Sequence, residues 1–141
     1  MKNLFPYLSF NGNTEEAINF YKSILGGEIV EISRFKDAPP IDDKALTKAQ
    51  ENLIMNAVYV INEETTIMAS DGHPAYGEVP FGKNISLAIN AESKEDADKI
   101  FNGLSEGGKI TMPLEETFWG AYFGMCDDKF GINWMINYDL K

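Results

Sequence analysis

The feature of this sequence that most restricts its fold is an internal repeat. The pattern of the segment from Tyr7 to Tyr21 recurs about 79 positions later, and each copy is followed by a glycine pair, Gly26-Gly27 and Gly107-Gly108. Two copies of one supersecondary unit are therefore predicted. The matched positions are Leu8, Phe10, Asn11, Thr14, Glu16 and Leu25 in the first copy, and Leu87, Ile89, Asn90, Ser93, Glu95 and Leu104 in the second.

Each copy changes its hydrophobic period at the same point. Apolar and polar residues first alternate, as in a half-buried strand, and the apolar residues then follow helical spacing. Asn13 or Thr14 is predicted to cap the first helix, and Ser93 the second. Acidic residues in the first turn suit the helix dipole, and the glycine pair ends each helix. With three strands after each helix, the prediction is an α+β fold of two βαβββ modules whose helices cover the outer faces of two sheets.

The predicted modules are residues 1–71 and 83–141, joined by a linker at 72–82 that is rich in glycine and proline. In the second module, a short strand at Lys109–Met112 is expected to stop at Pro113. Another strand is predicted at Trp119–Cys126. Residues 36–50 are predicted to be a loop with at most a short helical turn. Loops of this length commonly act as binding loops or lids.

Composition restricts the partners of the chain. The 141 residues carry a formal net charge of -10, which disfavours nucleic acid and anionic membrane because both would repel it. Cys126 is the only cysteine, which excludes an internal disulfide and fits a reducing compartment. No apolar run approaches the length of a membrane span. A single cytoplasmic domain that binds a small molecule is predicted.

Four motifs together resemble a known family. They are Asn-Gly-Asn-x-Glu-Glu-Ala-x-x-Phe-Tyr, Met-Pro-Leu-Glu, Phe-Trp-Gly-Ala-x-Phe-Gly and Asp-x-Phe-Gly-x-x-Trp. With the repeat, they resemble the PhnB-like branch of the vicinal oxygen chelate superfamily, which includes glyoxalase I, extradiol dioxygenases and bleomycin resistance proteins. The resemblance implies a cup-shaped, eight-stranded mixed sheet with ligand on its concave face. It also implies a homodimer, in which strands are often exchanged between chains.

The resemblance also implies where a catalytic metal would be held. Metal-dependent members use His or Glu on the first and last strands of each module, and here these positions fall at Phe5, Asn84, Met68–Ser70 and Met135. None of these offers the imidazole or carboxylate that a divalent ion needs. We therefore predict no metal and no cofactor.

The branch also carries a demethylubiquinone methyltransferase label. A typical adenosylmethionine site uses a glycine-rich loop after the first strand of a parallel sheet. Asn11-Gly12-Asn13 is a strand-to-helix turn in a different architecture, so we give the label little weight.

Four residues are candidates for ligand binding. His73 is the only histidine, and Asp71 is close enough in sequence to orient it as a base or ligand. A plain polar turn explains this pair more simply. Trp119 and Phe123 share one face of a predicted strand and could line an aromatic pocket, although core packing is the alternative.

Other reactive side chains have simpler interpretations. Cys126 is expected to be a buried, inert thiol. Glu115 and Glu116 are adjacent on the chain, so in a strand they would point to opposite faces. Four methionines on predicted strands are interpreted as core residues, although thioethers also suit adaptable pockets. They are Met55, Met68, Met125 and Met135.

These observations favour a metal-independent, PhnB-like small-molecule binding protein. One alternative is a lyase, isomerase or dioxygenase in which Asp71, His73 or a carboxylate of a second chain completes a site at a dimer interface. A further alternative is a resistance protein that sequesters a cationic or aromatic drug.

Overall fold

The computed structural model describes residues 1–39 and 45–141, which form two compact units, Met1–Pro80 and Phe81–Lys141. The first unit contains β1 (Tyr7–Phe10), α1 (Thr14–Leu25), β2 (Glu28–Arg34), α2 (Lys48–Glu51), β3 (Ile54–Asn62) and β4 (Thr65–Asp71). The second contains β5 (Leu87–Asn90), α3 (Lys94–Ser105), β6 (Lys109–Glu116), β7 (Ala121–Asp127) and β8 (Asn133–Asp139). No helix in these ranges is long and apolar enough to cross a membrane.

The eight described strands form two four-stranded sheets with the same topology. The strand orders are β1-β4-β3-β2 and β5-β8-β7-β6. In each sheet the first and last strands of the module are parallel, and the other neighbours are antiparallel. The predicted α+β fold of two βαβββ modules with mixed sheets is therefore confirmed.

One face of each sheet is covered by the helix of its own unit. Apolar side chains of strand and helix are buried together there: Phe10, Ala17, Ile18, Tyr21 and Tyr59 in the first unit, and Ala97, Phe101, Leu104, Trp134 and Ile136 in the second. Side chains alternate along a strand, so the residues between the buried ones point to the opposite face. We call that opposite face the open face of each sheet.

The first helix is capped in an unexpected way. Asn13 occupies the cap position without a capping hydrogen bond from its side chain. The carboxylate of Asp71, at the end of β4, accepts hydrogen bonds from Gly12 N, Thr14 N and Thr14 Oγ1 at 2.9, 3.0 and 2.7 Å. The first helix therefore takes its cap from a distant strand. Ser93 caps α3 as predicted, accepting from Asp96 N at 3.0 Å.

The glycine pairs bring each helix end against a neighbouring strand. Gly26 and Gly27 have φ of 77° and 81°. A Cβ on Gly27 would overlap the Val60 carbonyl oxygen of β3, and one on Gly108 would overlap the Asp127 carbonyl oxygen of β7. In the first unit the buried Tyr59 hydroxyl also donates to the Gly26 carbonyl oxygen at 2.6 Å. The repeat of the glycine pair thus reflects a repeated close approach of backbones.

Two predicted strand boundaries were wrong. β6 continues through Pro113 to Glu116. It is an edge strand, where a residue without an N–H costs no ladder hydrogen bond if it faces outward. β7 begins at Ala121, and Trp119 lies in the preceding turn, where Gly120 has φ of 89°.

The predicted linker packs against the first unit over most of its length. A short 3₁₀ turn covers Pro74–Tyr76. The Asn11 side chain accepts from Val79 N at 2.7 Å and donates to Val79 O at 3.0 Å. Of the loop predicted at 36–50, residues 40–44 lie outside the described residues, and the helical turn is α2, capped by Thr47.

Candidate functional site

The open face of the second sheet gathers aromatic, thioether and polar side chains. A Cβ on Gly124 would meet Phe101 of α3, so Gly124 faces the helix. Its neighbours Phe123 and Met125 therefore face the open side. The strand registers then align two rows across this face: Glu115, Phe123 and Asn137, and beside them Met112, Met125 and Met135.

Three rings form a connected aromatic cluster at one end of this face. Trp119 lies edge-on to Phe123, with ring centroids 6.1 Å apart, and Phe118 lies edge-on to Trp119 at 5.0 Å. Phe118 is 98% exposed and Trp119 is 52% exposed. Two large rings left in solvent are unusual beside a packed strand, since burying either would be favourable. The structure thus brings the rings of Trp119 and Phe123 into contact, although Trp119 lies in the turn before β7 and not on the strand.

Polar groups border the aromatic cluster. Asn137 Nδ2 donates to Asn90 Oδ1 at 3.3 Å and to Asp139 Oδ1 at 3.2 Å. Glu115, paired with Phe123 in the register, is exposed and makes no hydrogen bond or ion pair with the residues that the structure describes. Glu116 is on the opposite face, 4.0 Å from Lys94 of α3. Glu115 is therefore a carboxylate on the open face that is not committed to a partner among these residues.

The open face of the first sheet is more polar. Ser9 of β1 is paired with Ser70 of β4, and the Tyr7 hydroxyl donates to Asn56 Oδ1 at 3.1 Å. Met68 is the thioether on this face, paired with Tyr7 and Val58. This surface offers hydroxyl and amide groups but no exposed indole.

Asp71 and His73 do not form the pair that the sequence suggested. Asp71 is 3% exposed, and besides the bonds to the start of α1 its Oδ2 accepts from Ile54 N at 2.8 Å. His73 Nδ1 accepts from Ala75 N at 3.0 Å, and its ring lies against Phe35 and Tyr76. Asp71 thus serves as a structural acceptor, and His73 caps a turn.

Cys126 faces α3 and is fully buried. Burial, reinforced by the nearby Asp128 and Asp127, raises the pKa of its thiol to about 11. The thiol therefore stays protonated at neutral pH and lacks the reactivity of a thiolate.

The positions at which the resemblance places metal ligands carry no imidazole or carboxylate in this chain. Phe5 and Asn84 precede β1 and β5, while Met68 and Met135 lie on the open faces of β4 and β8. Within residues 1–39 and 45–141 there is no cluster of three or more His, Cys, Asp or Glu side chains suited to an ion.

Sequence reasoning missed Asn90, Asn137 and the individual role of Glu115. The alternation did predict that Glu115 and Glu116 point apart, but not which of them faces α3. That depends on irregularities in the β6 register between Ile110 and Met112 and between Met112 and Glu115. Such bulges leave no clear local signal.

The architecture defines the class of protein. Two βαβββ modules are the fold of the vicinal oxygen chelate superfamily. A glyoxylase/bleomycin resistance protein/dioxygenase domain from Frankia sp. EAN1pec has the same fold, with a TM-score of 0.67 and 15% identity, covering 99% of this chain and 98% of that one.

Within that class the family is defined by sequence. The family model described as 3-demethylubiquinone-9 3-methyltransferase matches residues 2–137, and this chain belongs to that family, the PhnB-like branch of the superfamily. Protein YjdN of Escherichia coli (strain K12) is 32% identical over 139 residues, which are 95% of this chain and 93% of that protein.

Two solved structures are similar in both sequence and fold. Protein PA1353 from Pseudomonas aeruginosa is 41% identical with a TM-score of 0.85, covering 99% of this chain and 98% of that one. A putative 3-demethylubiquinone-9 3-methyltransferase, PhnB protein, from Bacillus cereus is 30% identical with a TM-score of 0.79, covering 97% and 99%.

The family description implies adenosylmethionine, so we tested whether the chain fits this cofactor. A nucleotide-type site needs free backbone N–H groups in the turn after the first strand. In this chain Gly12 N and Thr14 N, in the turn after β1, are both bound to Asp71. The turn therefore does not fit that kind of site, and we derive no methyl transfer from it.

Proposed function

We propose that this protein binds a small molecule on the open face of its second sheet. The observation that carries the proposal is the half-exposed indole of Trp119, held between Phe118 and Phe123 beside polar groups. Binding sites typically combine aromatic surface with a few polar groups that orient the ligand. Trp119 and Phe123 would contact the ligand directly.

The ligand class follows from the surroundings of the rings. A flat ligand can stack on an indole, and the carboxylate of Glu115 favours a positive charge or a hydrogen-bond donor nearby. The net charge of -10 acts in the same direction. We therefore propose planar aromatic compounds that carry a positive charge, a class that includes compounds a resistance protein would sequester.

Calorimetry with planar aromatic cations and their neutral analogues tests this proposal. We expect Trp119→Ala to weaken binding by about tenfold, since an aromatic contact contributes roughly 1 kcal/mol beyond its buried area. Glu115→Gln should weaken the binding of the cations more than the binding of the neutral analogues. Tyr76→Ala, which removes an exposed ring from the first unit, is the matched control and should change nothing. Absence of heat with every compound would contradict the proposal.

Tryptophan fluorescence gives a second readout with an internal reference. Trp134 is 2% exposed, and its Nε1 donates to Asp128 Oδ2 at 2.8 Å. A ligand on the open face should change the emission of Trp119 and leave that of Trp134 unaltered. Trp119→Phe should therefore remove the response.

We also propose a cytoplasmic homodimer without a bound divalent metal. Exposed apolar side chains on the edge strands, Val30 and Ile32 of β2 and Ile110 of β6, support association with a second copy. The single cysteine supports a reducing compartment. Native mass spectrometry of untagged protein should show twice 15.8 kDa with no Zn, Ni, Mn or Fe. A monomer, or one such ion per chain, would contradict the proposal.

The enzymatic alternative has less support in the geometry. Both oxygens of Asp71 accept hydrogen bonds from the first unit, so this carboxylate is not available to orient His73 as a base. We therefore place the proposed function in binding.

A further inference from the structure

We propose that three methionines on the open face of the second sheet bind a soft monovalent metal ion, Cu(I) or Ag(I). Met112 of β6 is paired with Met125 of β7, which is paired in turn with Met135 of β8. We call these residues the methionine row. It goes beyond the proposed function, because it requires neither an aromatic ligand nor the rings of Trp119 and Phe123.

The sheet geometry allows the three sulfur atoms to converge. Directly opposed residues on antiparallel strands have Cβ atoms about 5 Å apart, and a methionine side chain has three rotatable bonds. A central Met125 flanked by two others can therefore bring three thioethers to one point above β7. Met112 is 43% exposed and the other two are partly exposed, so an ion can reach them.

The register of β6 places Met112 in the row. The strand shifts register on both sides of this residue, between Ile110 and Met112 and between Met112 and Glu115. Such irregularities change the direction of a side chain. Ile110 is paired with Cys126, on the side that faces α3, whereas Met112 is paired with Met125.

Ligand chemistry selects the ion. A thioether is neutral, soft and never protonated at ordinary pH, so it binds Cu(I) and Ag(I) and is a poor ligand for Mg²⁺, Ca²⁺ or Mn²⁺. The carboxylate of Glu115 in the adjacent row adds a negative charge that favours any cation. The nearby thiol of Cys126 faces α3 and is buried, so it does not belong to this row.

The chain provides a matched control. Met68 of β4 also lies on an open face, but it is paired with Tyr7 and Val58 and therefore has no thioether beside it. One thioether is a weak ligand by itself, so Met68 should not hold the ion.

Calorimetric titration with Ag⁺ in chloride-free buffer tests the proposal, because Ag⁺ needs no reductant. We expect one ion per chain. Met125→Leu and Met135→Leu keep the side-chain volume, and each should weaken binding by about tenfold or more, equivalent to ~1.4 kcal/mol. Met68→Leu should bind as the native protein does. Trp119→Ala should also retain Ag⁺, which separates this site from the proposed ligand site.

A readout on the native protein removes any dependence on how the variants fold. With ¹³C-labelled methionine methyl groups, Ag⁺ should shift the signals of Met112, Met125 and Met135 and leave those of Met55 and Met68 in place. Binding that survives Met125→Leu but is lost in Cys126→Ala would overturn the proposal, because the thiol would then be the ligand. Absence of binding would overturn it as well.

Discussion

Asp71→Ala should lower the free energy of unfolding by about 4 kcal/mol, because it leaves several buried donors without an acceptor at once. The carboxylate accepts from Gly12 N, Thr14 N and Thr14 Oγ1 through one oxygen and from Ile54 N through the other. An unsatisfied buried N–H costs roughly 1–3 kcal/mol. Such a loss is a large share of the 5–15 kcal/mol typical of a whole domain. Urea unfolding followed by circular dichroism measures it.

Two further variants control this experiment. Asp71→Asn keeps the side-chain volume and one acceptor oxygen, so its free energy of unfolding should lie between those of Asp71→Ala and the native protein. Glu63→Ala removes an exposed carboxylate from the turn between β3 and β4 and should stay within about 0.5 kcal/mol of the native protein. An average substitution lowers the free energy of unfolding by roughly 1 kcal/mol. If Asp71→Ala lowered it by no more than that, Asp71 would not be the cap of α1.

Gly27→Ala should cost about 4 kcal/mol, because two unfavourable effects act together. Gly27 has φ of 81°, and its added Cβ would overlap the Val60 carbonyl oxygen and lie 2.6 Å from Ile61 Cα. These are backbone atoms of a central strand, which a side-chain rotation cannot move away. Thermal and urea unfolding of the variant measure the loss.

Gly26→Ala is the matched control for this prediction. Gly26 has φ of 77° and ψ of -156°, but a Cβ there would meet nothing within 4 Å. Gly26→Ala should therefore lower the free energy of unfolding only through backbone strain, by about 2 kcal/mol. The difference between the two variants isolates the close approach of the helix end to β3. Equal losses would show that the backbone conformation alone is responsible.

Sequence reasoning succeeded where the determinants are local. α1 begins after Asn13 and ends before the glycine pair, as predicted, because an apolar stripe followed by two glycines is readable within one segment. The prediction at Pro113 failed because the effect of a proline depends on whether its strand is at the edge of a sheet. Strand order is a property of the sheet and is not visible in the segment.

The candidate site was predictable only in part. Alternation placed Trp119 and Phe123 on one face of a strand; their rings do meet, but Trp119 reaches Phe123 from the turn before β7. The methionine row could not be predicted, since it requires the pairings of three strands and two irregularities in β6. The structural role of Asp71 was not visible in the sequence, because its hydrogen-bond partners lie 17 to 59 residues away along the chain.

The capping of α1 by β4 has a consequence for biosynthesis. The donor at Thr14 and the acceptor at Asp71 are separated by 57 positions. When the first helix leaves the ribosome, Asp71 has not yet emerged. The N–H groups at the start of the helix then have only water as a partner. The first unit can reach its final stability only after residue 71 has emerged, and the hydrogen bonds between Asn11 and Val79 form later still.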